Sequence, residues 1–461
     1  MSRSAVLARQ PRLIWPALMP QIGLGLLAAV HGLLYLLVIP PWQAPDETSH
    51  VEHTLLWLKL GRTATPADAA AAPEIGQAIA DSLYTFRAYE YLGYSAPDPR
   101  VGLLRAMPFF GSSTTLGRFS LAYPVYALAV APFAGADILT QLYVLRLVSV
   151  ALGVATVLVA YVTARRVASE TPELAAGLAL LMIFIPQRAF INASVNDGNL
   201  AEFLAAVTFY WLVDLLQGGL TGRRLAACAA ATLAAVLTKS TALFLVPLLA
   251  FCGGGAWLSH LRRAQRWPWL MTAAALMGLV GLSVVIIAWS PASGPALAVL
   301  SRGGVGLQQA IAQRLAEEAF GALQWQMFQT FWASFGWLRV NLPEPLYVFW
   351  AAIALIGVVG LPLGGWTLIA RRQTSVGVTL LLGAAFCWLV PVAVYFVVPA
   401  SAPLHQGRYL FPGLVPLGLL VVAGWLGLVR RPRASLALLG LCLITLDALV
   451  LWGTALPYFY R

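Results

Sequence analysis

Charge is scarce in this chain: Asp, Glu, Lys and Arg together make up 10% of its 461 residues, while 60% are hydrophobic. A soluble globular domain carries about 25% charged residues, so that class is excluded. No Gly-rich phosphate loop and no soluble domain to house one are visible, which disfavours a nucleotide sugar or nucleotide as substrate. Cysteine is rare as well. Cys228, Cys252, Cys387 and Cys442 each lie inside an apolar segment without paired spacing, and read as small core residues. Alternation of polar and apolar residues is missing, which excludes a closed β-barrel and leaves helices to satisfy the backbone in lipid.

What the chain has instead is a succession of apolar runs of roughly 18 to 25 residues, each long enough to cross a hydrocarbon core. The expected fold is an all-α polytopic membrane protein with about eleven spans, near residues 17–39, 139–163, 173–190, 199–217, 224–238, 241–258, 268–289, 346–369, 376–398, 408–429 and 435–456. The net charge of +11 suggests nucleic acid at first sight. Its distribution argues against that partner. Of 29 Lys and Arg, 15 sit in six clusters: Arg3, Arg9 and Arg12; Arg165 and Arg166; Arg223 and Arg224; Arg262, Arg263 and Arg266; Arg371 and Arg372; Arg430, Arg431 and Arg433. With eleven spans all six fall on one side, which makes them cytoplasmic anchors. The expected topology is a cytoplasmic amino terminus, an outer carboxyl terminus at Pro457 to Arg461, and a first run retained as an anchor, because Ile39-Pro40-Pro41-Trp42 offers no small-residue cleavage site. The whole chain, 1–461, then forms one integral-membrane domain with two long outer loops, 40–138 and 290–345, bearing amphipathic helices.

The charges that are not anchors gather at the outer ends of these runs. Directly after the first comes Pro40-Pro41-Trp42-Gln43-Ala44-Pro45-Asp46-Glu47-Thr48-Ser49-His50-Val51-Glu52-His53, dense in acid and imidazole. Pro45 and Asp46 suit a helix start, and Glu47 to Leu60 is expected as a helix along the interface, with Leu55, Leu56, Leu58 and Leu60 on lipid. Asp46, His50, His53 and Trp57 would share its other face. Arg188 and Asp197 flank the turn between the third and fourth spans, Lys239 lies between the fifth and sixth, and Arg408 with Tyr409 opens the tenth. Ionisable groups at such places are costly unless paired or functional.

In their order along the chain, Pro45-Asp46-Glu47-Thr48-Ser49-His50, a long first outer loop, Asn196-Asp197, Thr238-Lys239 and Gly407-Arg408-Tyr409-Leu410-Phe411-Pro412 resemble the type C glycosyltransferases. That superfamily, which includes protein O-mannosyltransferases and the aminoarabinose transferase of lipid A, uses polyprenyl-phosphate sugars; a bacterial branch with Pro-Asp-Glu-x-x-His and Gln-Gly-Arg-Tyr is the nearest likeness. The resemblance implies a polyprenyl-phosphate-linked donor and an acceptor, which is glycan, lipid or protein, at the outer face; the residues force no cofactor and leave a divalent cation open. Where the family pattern has a His-Pro-Pro-like element this chain has Leu121-Ala122-Tyr123-Pro124, and the contact made by that His is not carried over.

Residue chemistry supports these roles. Asp46 is the expected general base, with Glu47 orienting it or binding acceptor. Arg408 suits the leaving phosphate because guanidinium binds it bidentately, with Lys239 as a second point charge. Tyr409, Asp197, Arg188 and His50 complete the expected substrate contacts. Plainer readings stand beside these. Asp46 also fits an N-cap, Arg408 an interfacial anchor and Lys239 a snorkelling cation, while Arg188 with Asp197 fits a structural pair, and Arg146 a partner of Asp137 or of a lipid phosphate. Asp46, His50 and His53 admit a divalent cation at i, i+4 and i+7 spacing, although Glu47-Thr48-Ser49-His50 lacks the second His of a zinc protease. The rival function is a lipid or polysaccharide transporter, which should hold its ionisable residues near helix middles.

Overall fold

The computed structural model describes residues 15–93, 110, 115–261, 309, 319–371, 374–397, 406–429 and 431–460. Helix α1 (Trp15–Val38) leads through a tight turn into α2 (Glu47–Leu60), followed by the short α3 (Pro66–Ala71), α4 (Pro73–Thr85) and α5 (Ala122–Val130). The first half of the bundle then runs α6 (Ile138–Val167), α7 (Pro172–Ile183), α8 (Pro186–Asn192), α9 (Asp197–Gly218), α10 (Gly222–Thr238) and α11 (Leu245–Leu261). Capping sets several of these starts. The Asp137 carboxylate accepts from the backbone of Leu139 and Thr140, Asn196 from Gly198, and Thr221 from Arg224.

After α12 (Ala319–Trp332) a small antiparallel hairpin pairs Ser334 with Asn341 and Phe335 with Val340. The chain continues as α13 (Glu344–Gly360), α14 (Trp366–Ala370), α15 (Thr374–Val397), a 3-10 turn Gly407–Gly413, α16 (Leu414–Leu428), α17 (Pro432–Val450) and α18 (Leu456–Phe459). Among the described residues seven helices are long and apolar enough to cross a membrane, or eight if α7 and α8, bent 66° from each other, cross as one. The expected count of eleven is therefore not reached. Expected span 268–289 lies outside the described residues, and α10 has only 17 residues.

A second difference concerns α2. Expected along the interface, it is buried from Glu47 to Leu56 by the first-loop helices, with α4 and α5 packed against it and Leu55 and Leu56 inside the protein. Local pattern alone could not announce this cover, which comes from segments tens of residues away.

Within the bundle, α13 meets α16 backbone to backbone. A Cβ at Gly360 would stand 2.1 Å from the carbonyl oxygen of Gly424, and one at Gly424 only 1.7 Å from that of Gly357. Carbonyls in helices cannot rotate away, so any side chain forces the two helices apart. Gly360→Ala should cost on the order of 1–3 kcal/mol, the usual range for overpacking. Thermal unfolding in detergent checks it, with Gly23→Ala, where nothing lies within 4 Å, as the control that leaves the midpoint unchanged; equal midpoints for both variants would contradict the contact.

Candidate active site

The site is built where four chain segments end at one side of the bundle. Asp46 occupies the N-cap position of α2 in the left-handed region, φ 64°, a conformation Asp tolerates better than most residues. Its side chain makes no cap hydrogen bond. Instead Oδ2 accepts from Arg408 Nη2 at 2.7 Å. The plain capping role is thus set aside, and an acid and a guanidinium 362 residues apart in sequence share one ion pair.

Arg408 is presented by the 3-10 turn that precedes α16, and this turn is seated on α12. Gly407 N–H donates to Thr330 Oγ1 at 2.7 Å, and a Cβ on Gly407 would fall 2.2 Å from Phe331 N and 2.3 Å from the Met327 carbonyl oxygen. Only glycine permits that approach. The guanidinium lies 5.6 Å from the centroid of the Tyr409 ring, with 6% of its side chain exposed. Its Nε and Nη1 are buried and make no hydrogen bond among the described residues. The anchor reading predicts a side chain reaching outward, and does not fit this burial.

Asp197, in the first turn of α9, bonds Lys239 Nζ, which also donates to Asn196 Oδ1 at 3.2 Å. Lys239 is the C-cap of α10 and turns inward rather than snorkelling. His50 Nε2 stands 3.8 Å from Asp197 Oδ1, and its Nδ1 lies 3.2 Å from the Tyr123 hydroxyl. Asp46 with Arg408 and Asp197 with Lys239 therefore form two ion pairs around one small region that also holds His50.

Other expected site residues lie elsewhere. Glu47 is fully buried, and both oxygens are taken: Oε2 by Arg146 Nη2 at 2.7 Å and Trp42 N–H at 3.1 Å, Oε1 by Arg146 Nε at 2.9 Å and Val195 N–H at 3.1 Å. Nothing is left to meet an acceptor, so of the two roles expected for Glu47 only that of orienting Asp46 stands, and Arg146 pairs with Glu47 rather than with Asp137. Arg188 does not pair with Asp197. Its Nε donates to Glu202 at 2.6 Å and its Nη1 to the Met182 carbonyl at 2.9 Å, so it satisfies backbone freed by the bend between α7 and α8. His53 stacks on Tyr123 at 3.8 Å between centroids, and its Nε2 accepts from Ala64 N–H at 3.3 Å. Asp46, His50 and His53 thus diverge, and among the described residues no three His, Cys, Asp or Glu side chains converge as metal donors. The donor set expected for a divalent cation does not fit one.

Burial raises the Asp46 carboxyl, but Arg408, His50 and Lys239 together outweigh it and hold the group below its ordinary value. Burial lowers His50, a tendency Lys239 reinforces and Asp197 opposes. Burial beside His50 lowers His53 to about 4. Between its ordinary 6.5 and about 4 the unfolded chain binds a proton at His53 that the folded chain refuses, so stability falls as pH falls through that window. Asp46 adds its own loss only at lower pH, below the ordinary carboxylate value of 3.8. The unfolding midpoint should accordingly drop between pH 7 and pH 4.5 and His53→Gln should flatten the drop; a wild-type midpoint indifferent to pH would exclude this account.

Long apolar helices with a charged cluster at one end define a polytopic integral membrane protein. Residues 103–417 match the family model described as predicted membrane protein (DUF2142), and the chain belongs to that family. No protein of curated function matches the sequence. Solved structures similar to it include ArnT from Cupriavidus metallidurans bound to undecaprenyl phosphate, 13% identical with a TM-score of 0.45, over 96% of this chain and 74% of that one. Another is the apo oligosaccharyltransferase of Archaeoglobus fulgidus, 13% identical with a TM-score of 0.48, over 97% of this chain and 56% of that one. The chain spans about half the length of the archaeal protein. What a site does is decided by its side chains rather than by the fold that carries them.

Proposed function

We propose that the protein is a glycosyltransferase that moves a sugar from a polyprenyl-phosphate carrier to an acceptor at the outer membrane surface. The observation that carries this is the Asp46 and Arg408 pair, in which a buried guanidinium keeps two nitrogens without partners among the described residues. Buried donors of that kind call for an acceptor, and a phosphate supplies one. An apolar groove of about 300 Å³ begins beside the same turn, lined by Met327, Phe328, Phe331, Trp332, Leu410 and Leu414. A phosphate on Arg408 with a prenyl tail in this groove uses both features.

In the reaction the acceptor hydroxyl oxygen bonds to the anomeric carbon while the bond from that carbon to the phosphate oxygen breaks, both electrons leaving with the lipid phosphate. The hydroxyl proton passes to Asp46. Arg408 offsets the charge gained by the departing phosphate. Donor binding also readies the base: as phosphate takes over the guanidinium, Asp46 loses the partner that depresses it and rises toward its ordinary basicity. The topology that goes with this reading has the amino terminus in the cytoplasm, the carboxyl terminus outside, and loops 40–138 and 290–345 on the outer face of a single domain.

Intramembrane charges would be the transporter's feature, and the bundle holds some: His31 Nε2 lies 2.8 Å from Asp447 Oδ2, and Tyr35 donates to Oδ1 at 2.8 Å. These groups satisfy one another and tie α1 to α17. The cavity beside them measures about 20 Å³, room for about one water and no solute. Arg408→Ala should weaken binding of undecaprenyl phosphate to the full chain in nanodiscs by about 10- to 100-fold, the worth of one or two charge-assisted hydrogen bonds. Unchanged affinity would remove Arg408 from the phosphate.

A further inference from the structure

Tyr123 is buried, with 3% exposure. Its hydroxyl lies 3.2 Å from His50 Nδ1, and on the far side of the same ring Nε2 faces Asp197 Oδ1 at 3.8 Å. An unprotonated Nε2 would turn a lone pair on a carboxylate, so the arrangement favours the proton on Nε2. Nδ1 is then the acceptor and Tyr123 the donor. Burial keeps His50 below its ordinary value and so neutral, the state in which the choice of tautomer matters. Lys239 Nζ pairs with that same oxygen of Asp197, Oδ1. Of this series Asp197 is the more accessible member, with 16% of its side chain exposed against 5% for His50, and it shares the region of Asp46 and Arg408.

Resting on the glycosyltransferase reading, we infer that Tyr123 and His50 are positioning residues that fix Asp197 as the hydroxyl-accepting wall of the sugar subsite, with Tyr123 holding the His50 ring so that its Nε2–H faces Asp197. A carboxylate flanked by fixed donors accepts hydrogen bonds from sugar hydroxyls with its remaining lone pairs, at a set orientation. Arg408 grips the phosphate and Asp197 reads the sugar. Removing the Tyr123 hydroxyl takes the donor from Nδ1 and frees the His50 ring to turn its Nε2–H away from Asp197, which leaves that carboxylate to Lys239 alone.

Tyr123→Phe tests this, because the ring that stacks on His53 is kept. Two measurements on the full chain in nanodiscs separate the outcomes: nitrogen NMR of the histidine-labelled protein, and binding of bare undecaprenyl phosphate compared with a panel of undecaprenyl-phosphate-linked hexoses and pentoses. The expected result is a His50 Nδ1 resonance shifted by loss of the hydrogen bond it accepts, unchanged affinity for bare undecaprenyl phosphate, and about tenfold weaker affinity for the sugar-bearing lipid that wild type prefers. Asp197→Asn should reproduce the sugar-selective loss, and the double variant should add little to it. A wild-type His50 proton found on Nδ1, an Nδ1 resonance that Tyr123→Phe leaves in place, or equal loss for bare and sugar-bearing lipid, overturns the inference. So does a wild-type chain that binds bare lipid but prefers no sugar. A wild-type chain that binds none of these lipids defeats the glycosyltransferase reading instead, while the nitrogen resonances still report on the contact of Tyr123 with His50.

Discussion

Asp46→Asn should stop sugar transfer, lowering turnover by about 10²- to 10⁴-fold, the range associated with loss of a positioned general base. The substitution isolates the chemistry. Asn tolerates the left-handed backbone at φ 64° nearly as well as Asp, and its amide oxygen can still accept from Arg408 Nη2 in place of Oδ2. What it cannot do is take a proton. The folded protein should therefore retain its bound lipid phosphate and unfold near the wild-type temperature while labelled sugar stays on the carrier. Transfer from the undecaprenyl-phosphate-linked panel, measured beside lipid binding and the thermal midpoint, checks it. Turnover within tenfold of wild type, by a variant shown to be folded, would assign the proton to another group.

Much of this site could be read from the sequence, because charge in an apolar chain is conspicuous wherever it is not explained by topology. Asp46, Asp197, Lys239 and Arg408 each stand at the end of an apolar run, and the fold brings those ends together. Which charge pairs with which could not be read. Arg188 and Asp197 look like neighbours across a turn, yet Arg188 finds Glu202, 14 residues away on α9, because the bend after Ile183 turns it into the bundle. Glu47 looks like the companion of Asp46. Successive residues at a helix start point about 100° apart, however, so when Asp46 faces Arg408 its neighbour must face elsewhere. Apolar length likewise shows that a segment can cross, but not that Pro186 starts a new helix within it.

Arg146→Met should destabilise the protein by about 3–5 kcal/mol, as expected when one member of a buried ion pair is removed and its partner is left uncompensated. Neither Arg146 nor Glu47 has any exposed side chain. The pair does more than neutralise itself. Arg146 Nη1 and Nη2 also donate to the carbonyls of Ile39 at 2.9 Å and Pro40 at 3.0 Å, the residues where α1 ends, while Glu47 holds the backbone N–H of Trp42 and of Val195. One guanidinium and one carboxylate thereby tie together the end of α1, the start of α2, the first third of α6 and the approach to α9. Asp46 and Asp197 sit next to those tied points. Because the backbone groups would remain buried, the double variant Arg146→Met with Glu47→Leu should not recover stability as an isolated ion pair replaced by hydrophobes often does. Arg146→Lys should fall between, since an ammonium carries the charge but cannot direct donors to four acceptors at once. Thermal unfolding of the four proteins in one detergent ranks them as wild type, Arg146→Lys, then Arg146→Met and the double variant together. A double variant as stable as wild type would show that the pair only cancels its own charges and that Asp46 is held in place by something else.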